Sequence, residues 1–334
     1  MEKILENECL RVVITPGFGG KITSLFHKES SFEAAAQPGE KEKMVSRRGF
    51  SRYAYGFDDA FPNIDAENFV WNGKEKRYPD HGEIWNADFT VLSQGRDFVR
   101  MVWESRVFSY RYEKEVRLFS NALVMRCHIA NIGEDELPAI WTWHGLMCYE
   151  EDMEILLPFG TGRCRNVLSE RMLGAPDTIY PYDNPVYDFR RVPAADSRRA
   201  VKYYLEPGEV GAGRGEGMHY AGGMPAAAHC GGETRFVGGD VPACRELLPA
   251  VGGFYYPSRR MFCMLHYDVK KLPYLGVWVT AGGFEGDYNC ALEPSDGFYD
   301  SVRKAGENGR LPVLASGAAA DFGFAVSLFS KEKM

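Results

Sequence analysis

Apolar and polar residues alternate over much of this chain, and the alternation predicts strands. Between Phe108 and Phe119, Tyr110, Tyr112, Val116 and Leu118 fall on one face and Arg111, Glu113, Glu115 and Arg117 on the other, the period of two that a half-buried strand requires. Ser120-Asn121-Ala122 turns the chain, and Leu123, Met125, Cys127 and Ile129 give the return strand its apolar face, so the pair reads as an antiparallel hairpin. His128 lies on the polar face of that hairpin and reads as a surface residue. A second pair, Leu10 to Thr15 and Lys21 to Phe26, flanks Pro16-Gly17-Phe18-Gly19-Gly20. No Lys-Ser/Thr ending and no helix follow those glycines, so they make a tight turn and not a phosphate loop. Strands are also expected at Arg259–His266, Leu275–Thr280 and Asp321–Phe329, the last with Phe322, Phe324, Val326 and Leu328 on one face. One short helix is expected where Phe298, Val302 and Ala305 recur at helical spacing before Gly306 or Gly309.

The remaining stretches look irregular. Residues 28–48 are charged and small, as in a loop rim. Across 166–232, Pro176, Pro181, Pro185, Pro193 and Pro207 interrupt every candidate element, and seven glycines fall between Gly208 and Gly223, so the segment reads as a Pro/Gly-rich excursion from a single domain spanning 1–334. The 36 glycines, 18 prolines and 13% aromatic content suit short strands joined by many turns. The expectation is an all-β chain.

Charge narrows the partners. A net charge of −7 gives no general attraction to nucleic acid or to anionic lipid, which leaves small neutral or cationic ligands. Eight cysteines show neither CxxC pairs nor zinc-finger spacing and read as small buried residues of a reducing compartment. No basic segment followed by an apolar one opens the chain, so the expected location is the cytoplasm, without membrane association. The acidic loops lack the Asp/Asn spacing of a calcium site, and no metal or other cofactor is expected. Monomer and homodimer are both compatible with the sequence.

Candidate chemistry gathers in four stretches. Pro79-Asp80-His81-Gly82-Glu83-Ile84-Trp85 packs an imidazole, two carboxylates and an indole around a glycine that lets the backbone approach something closely; taken alone it is a surface turn. Gly56-Phe57-Asp58-Asp59-Ala60-Phe61-Pro62-Asn63 places two acids among aromatic residues, and such acids either cap a turn or face a polar cleft. In Ile140-Trp141-Thr142-Trp143-His144-Gly145, Trp143 and His144 must point to opposite faces of a strand; alone, His144 is a core histidine. Glu293 ends an apolar strand directly before Pro294, whose ring restricts the backbone that carries it.

The Asp-His-Gly-Glu, Trp-His-Gly and Leu-Glu-Pro stretches, in that order behind a Pro-Gly-Phe-Gly-Gly hairpin, resemble the aldose 1-epimerase family of galactose mutarotase-like proteins. The resemblance is specific in residues 10–26, 56–91, 123–147 and 273–329. It implies a large antiparallel β-sandwich that binds a sugar, with Glu293 similar to the family's general base, His144 to its general acid and His81 to an earlier sugar-contacting histidine. Asp240 is a candidate for a later substrate-binding aspartate. The chain departs from the family at Trp-Thr-Trp-His-Gly, where better-known members carry an asparagine before a His-Ser or His-Pro pair, and it lacks their asparagine-arginine segment near Arg52.

The residue chemistry agrees with the implied reaction. Exchanging α and β anomers needs a base at the C1 hydroxyl and an acid at the ring oxygen, which a carboxylate and an imidazolium supply. Asp59 and Asp80 are candidate acceptors for sugar hydroxyls, Trp143 and Trp278 candidate faces for the ring, and Arg77 a candidate contact for an anionic group. Three alternatives stand beside this isomerase. A hexose-6-phosphate epimerase would place Arg77, Arg190 or Arg191 at the cleft. A non-catalytic sugar-binding or sensing protein would have little use for an acid–base pair, and a lyase or isomerase of acidic sugars would need a basic cleft.

Overall fold

Strands that alternate in this way each own one apolar face, and two large antiparallel sheets bury those faces against each other. The computed structural model of the chain describes residues 1–40, 47, 49–158, 162–206 and 248–331. The main sheet runs in the order Lys3–Glu6, Leu10–Thr15, Lys21–His27, Phe57–Ala60, Thr142–Gly145, Tyr288–Ser295, Tyr274–Ala281, Arg199–Leu205, Arg163–Asn166, Ile179–Pro181. The second runs Glu154–Leu156, Ala250–Tyr256, Met261–Tyr267, Ala319–Ser330, Ala122–Asn131, Tyr110–Phe119, Phe98–Glu104, Thr90–Gln94. The expected all-β sandwich is the observed one.

Aromatic residues hold the sheets together. Trp141 and Trp143 are both fully buried. Trp141 stacks on Phe322 at 4.7 Å between ring centres, and Trp143 leans on Phe324 at 4.9 Å. The Tyr110–Phe119 and Ala122–Asn131 hairpin forms in register, with Leu118 opposite Leu123 and Tyr112 opposite Ile129. Its inner face also carries Lys114, which is buried and meets Asp59 of the main sheet at 2.7 Å. Removing water from both charges is tolerable only because each neutralises the other. The expected short helix is Val302–Glu307, started by the Ser301 hydroxyl accepting the Lys304 amide and followed by Gly309 at φ +64°.

Two expectations are corrected. The 166–232 segment is not irregular throughout. Arg199–Leu205 is an inner strand of the main sheet, and Ile179–Pro181 pairs with Arg163–Asn166 at its edge. Prolines bracket these strands without entering the middle of the inner one, where they would remove ladder hydrogen bonds. Residues 207–247, including Asp240, Cys230 and Cys244, lie outside the described residues. The close backbone approach at Gly82 is to the protein itself and not to a ligand: a Cβ there would stand 2.1 Å from the Phe61 carbonyl oxygen, at a φ of +72°. Among the described residues, no helix is long and apolar enough to cross a membrane.

Trp143 therefore belongs to the core. Trp143→Ala is expected to lower unfolding stability by about 3–5 kcal/mol, measured by denaturant titration. A change under about 1 kcal/mol would return the indole to a surface role.

Candidate active site

Because Trp143 points into the core, Thr142 and His144 face the other side of the main sheet. The same alternation applies on every neighbouring strand. Cys290 and Leu292 point inward while Ala291 and Glu293 point outward, and Val201 and Tyr203 point inward while Lys202 and Tyr204 point outward. Register then brings the outward set together. His144 lies opposite Asp58, Thr142 opposite both Ala60 and Ser295, and Glu293 opposite Gly276.

Glu293 and His144, 149 residues apart in sequence, meet at 3.8 Å between Oε1 and Nε2. That gap is too long for a hydrogen bond. The other carboxylate oxygen, Oε2, lies 2.9 Å from the Lys202 ammonium, which lies equally 2.9 Å from Asp300 Oδ2. Tyr204 donates its hydroxyl to Asp300 Oδ1 at 2.7 Å. Glu293 is completely buried, and His144, Lys202 and Asp300 nearly so.

A turn at His81 supplies the second imidazole. His81 adopts φ +55°, with its amide donating to the Ile64 carbonyl at 2.7 Å, and its ring lies 5.0 Å from that of His144 at 77°. Asp80 Oδ1 is 2.8 Å from His81 Nδ1, and this hydrogen bond holds the Asp80 carboxyl below its ordinary pKa. Glu83 turns away and accepts from Ser105 at 2.6 Å. Over both imidazoles sits Phe50, from the 3₁₀ turn Gly49–Tyr53. It stacks on His81 at 3.6 Å and 9°, and presents an edge contact to His144 at 5.2 Å and to Trp85 at 5.4 Å. Lys21 anchors the end of that turn: its buried ammonium donates to the Tyr53 and Tyr55 carbonyls at 2.9 Å and meets Asp58 at 2.5 Å.

Burial sets the protonation states. It raises Glu293 above the ordinary carboxylate range, with Lys202 opposing the shift and Asp300 adding to it. The Lys202 ammonium is pulled down by its own burial, yet Asp300 and Glu293 more than offset that and hold it protonated. His144 is driven well below 6.5, by burial first and by the charges of His81, Lys202 and Lys21 after it. The imidazole is neutral at pH 7. Burial thus opposes charge on both partners, raising the carboxyl and lowering the imidazole, so that their proton affinities approach each other.

The other expected site residues divide. Trp278 shares the outward face with Gly276, half-buried, its Nε1 donating to Asn289 Oδ1 at 2.9 Å. Asp80 reaches the site only through His81. Asp59 and Trp143 are corrected: they face the core, where Asp59 pairs with Lys114 and accepts from the Tyr112 hydroxyl at 3.2 Å. Arg77 is exposed on the Lys74–Tyr78 strand of an outlying hairpin, opposite Asn68. Lys202, Asp300, Phe50 and Lys21 were not among the candidates. In the sequence Lys202 stands out only as a lone lysine in the apolar run Val201-Lys202-Tyr203-Tyr204-Leu205, flanked at a distance by Pro193 and Pro207. Among the described residues, no group of three or more His, Cys, Asp or Glu side chains is placed to hold a metal ion.

This architecture has solved counterparts. The chain superposes on a galactose mutarotase-related enzyme from Lactobacillus acidophilus with a TM-score of 0.68 at 16% identity, covering 99% of this chain and 98% of that one. The fold is the galactose mutarotase-like one. A putative aldose 1-epimerase from Escherichia coli K12 gives 0.67 at 16% identity, covering 99% of each chain. A galactose mutarotase-like protein from Clostridium acetobutylicum gives 0.64 at 13%, covering 99% and 98%. No protein-family model and no curated protein matches the sequence.

The His144 assignment has a direct consequence. In isotope-labelled protein, the His144 ring is expected to show no titration between about pH 6 and 8, whereas a solvated histidine titrates near 6.5. The unfolded chain binds the proton that the folded site refuses, so unfolding free energy falls as pH drops below about 6.5. A His144 midpoint at or above 6.5 contradicts this electrostatic picture.

Proposed function

We propose that the protein interconverts the anomers of a free aldose by acid–base ring opening. The observation that supports this most is the pairing of a buried, basic carboxylate with an imidazole on one sheet face, with Glu293 Oε1 turned toward His144 and its other oxygen engaged by Lys202. Glu293 takes the proton of the C1 hydroxyl while His144 protonates the ring oxygen. The C1–O5 bond breaks, C1 rotates as a free aldehyde, and the reverse transfers close the ring. Empty, His144 is neutral, so the working complex must load a proton onto it. The Glu293 carboxylate at 3.8 Å is the neighbouring group that favours that proton, against the charges of His81 and Lys202.

Phe50 fills the position over both imidazoles, so a sugar that meets them must displace its ring. The free sugar is preferred to a sugar phosphate because the named arginines are occupied or remote. Arg190 pairs with Asp188 at 2.8 Å, Arg191 with Glu154 at 3.0 Å, and all three of Arg77, Arg190 and Arg191 are exposed.

Polarimetry on a freshly dissolved single anomer tests the roles. Glu293→Gln is expected to remove the acceleration while sugar binding survives, because the amide keeps the shape but cannot take a proton. His144→Asn is expected to slow it on the order of 10²–10⁴-fold. Equal loss of binding in Glu293→Gln would make that residue structural, and an unchanged rate in His144→Asn would pass the acid role to His81.

A further inference from the structure

We infer that Lys202 is a positioning residue for the base: its ammonium, shared between Glu293 and Asp300, aims one Glu293 oxygen at the reacting centre and fixes how strongly that oxygen binds a proton. The inference rests on the proposed role of Glu293 and extends it.

The geometry begins with a gap in the sheet. Lys202 and Glu293 stand on strands separated by the Tyr274–Ala281 strand, where Tyr204 lies opposite Gly276 and Gly276 opposite Glu293. A Cβ at Gly276 would stand 3.2 Å from Glu293 Oε2 and 3.1 Å from the Tyr204 ring. The missing side chain therefore leaves room above the middle strand for the Glu293 carboxylate and the Tyr204 ring. From its position opposite Trp278, Lys202 reaches that carboxylate at Oε2, 2.9 Å away, while Oε1 faces His144. Asp300 takes the same ammonium at 2.9 Å and is itself fixed by the Tyr204 hydroxyl at 2.7 Å. Lys202 thus sits between two carboxylates, held in place by the one that does not react.

Sharing matters for the chemistry. An ammonium bound to Glu293 alone would hold the carboxylate ionised too firmly for it to accept a proton. An absent ammonium would leave the buried carboxyl protonated and unable to act as a base. The charged and titratable groups facing Glu293 are Lys202 and Tyr204 from the strand beyond Tyr274–Ala281, Asp300 from the segment after its own strand, His144 from the adjacent strand on the opposite side, and His81 from the turn beyond. Of these, Lys202 is the cation in direct contact with a Glu293 oxygen.

Carbon-13 NMR of glutamate-labelled protein, with Glu293 assigned by Glu293→Gln, reads the carboxyl midpoint without any turnover. Lys202→Met is expected to move it upward by about 1–3 pH units and to carry the acidic limb of the anomer-exchange profile the same way, while Lys202→Arg keeps both near wild type. Asp300→Asn is expected to move the midpoint downward, because the ammonium then serves Glu293 alone. This opposite sign decides the matter if Lys202→Met fails to fold. A midpoint unmoved in folded Lys202→Met, or one that does not fall in Asp300→Asn, overturns the inference. Midpoints that move as expected in a protein that accelerates no anomer exchange would uphold this electrostatic role and reject the enzymatic reading.

Discussion

A carboxylate with no solvent exposure on the face of a β-sheet must be compensated, and the structure around Glu293 is arranged by that need. Lys202 supplies the charge, Asp300 shares it, Tyr204 fixes Asp300, and the absent side chain of Gly276 makes room for the Glu293 carboxylate beside the Tyr204 ring. Compensation is deliberately incomplete in its geometry, since only one oxygen is engaged. The other faces an imidazole that burial keeps neutral, and an oxygen so placed is free to accept a proton from a bound hydroxyl.

Burial of charge recurs across the layers. Lys21 and Asp58 lie on the same outward face as His144, and Lys21 also holds the end of the turn that carries Phe50. One residue along, Asp59 points inward to Lys114 of the second sheet. Adjacent aspartates on one strand therefore serve opposite faces, one supporting the site and the other tying the sandwich together. Phe50 stacks on His81 and lies edge-on to His144, which leaves His144 buried while His81 keeps 20% of its side chain exposed, and burial lowers the dielectric around His144.

Much of the fold was legible in the sequence because alternation reports burial directly. The Tyr110–Asn131 hairpin, the Ala319–Ser330 strand and the Val302–Glu307 helix all lie where the pattern put them. Alternation also separated Trp143 from His144, though it could not say which of the two faced the core. That ambiguity extends to Asp59, and the packing of Trp143 on Phe324 and of Asp59 on Lys114 resolves both toward the core. His81, His144 and Glu293 were recognisable from local motifs; the main sheet brings His144 and Glu293 together, and a turn adds His81. Lys202 and Asp300 were not recognisable, because their role exists only in the folded chain: a lysine and an aspartate nearly a hundred residues apart carry no local sign that one ammonium serves both Asp300 and Glu293. Phe50 had no local signal either, lying beside a charged loop in a turn of five residues.

Magnetisation-transfer NMR tests the central claim most directly, because it observes anomer exchange at equilibrium without a coupled enzyme or a prior choice of sugar. The panel is a set of free aldoses and their 6-phosphates, with and without the protein. The account predicts accelerated exchange for at least one free aldose, with little or none for its 6-phosphate. Line broadening that reports binding, with no acceleration across the panel, would contradict it and make the site a sugar-binding pocket without turnover.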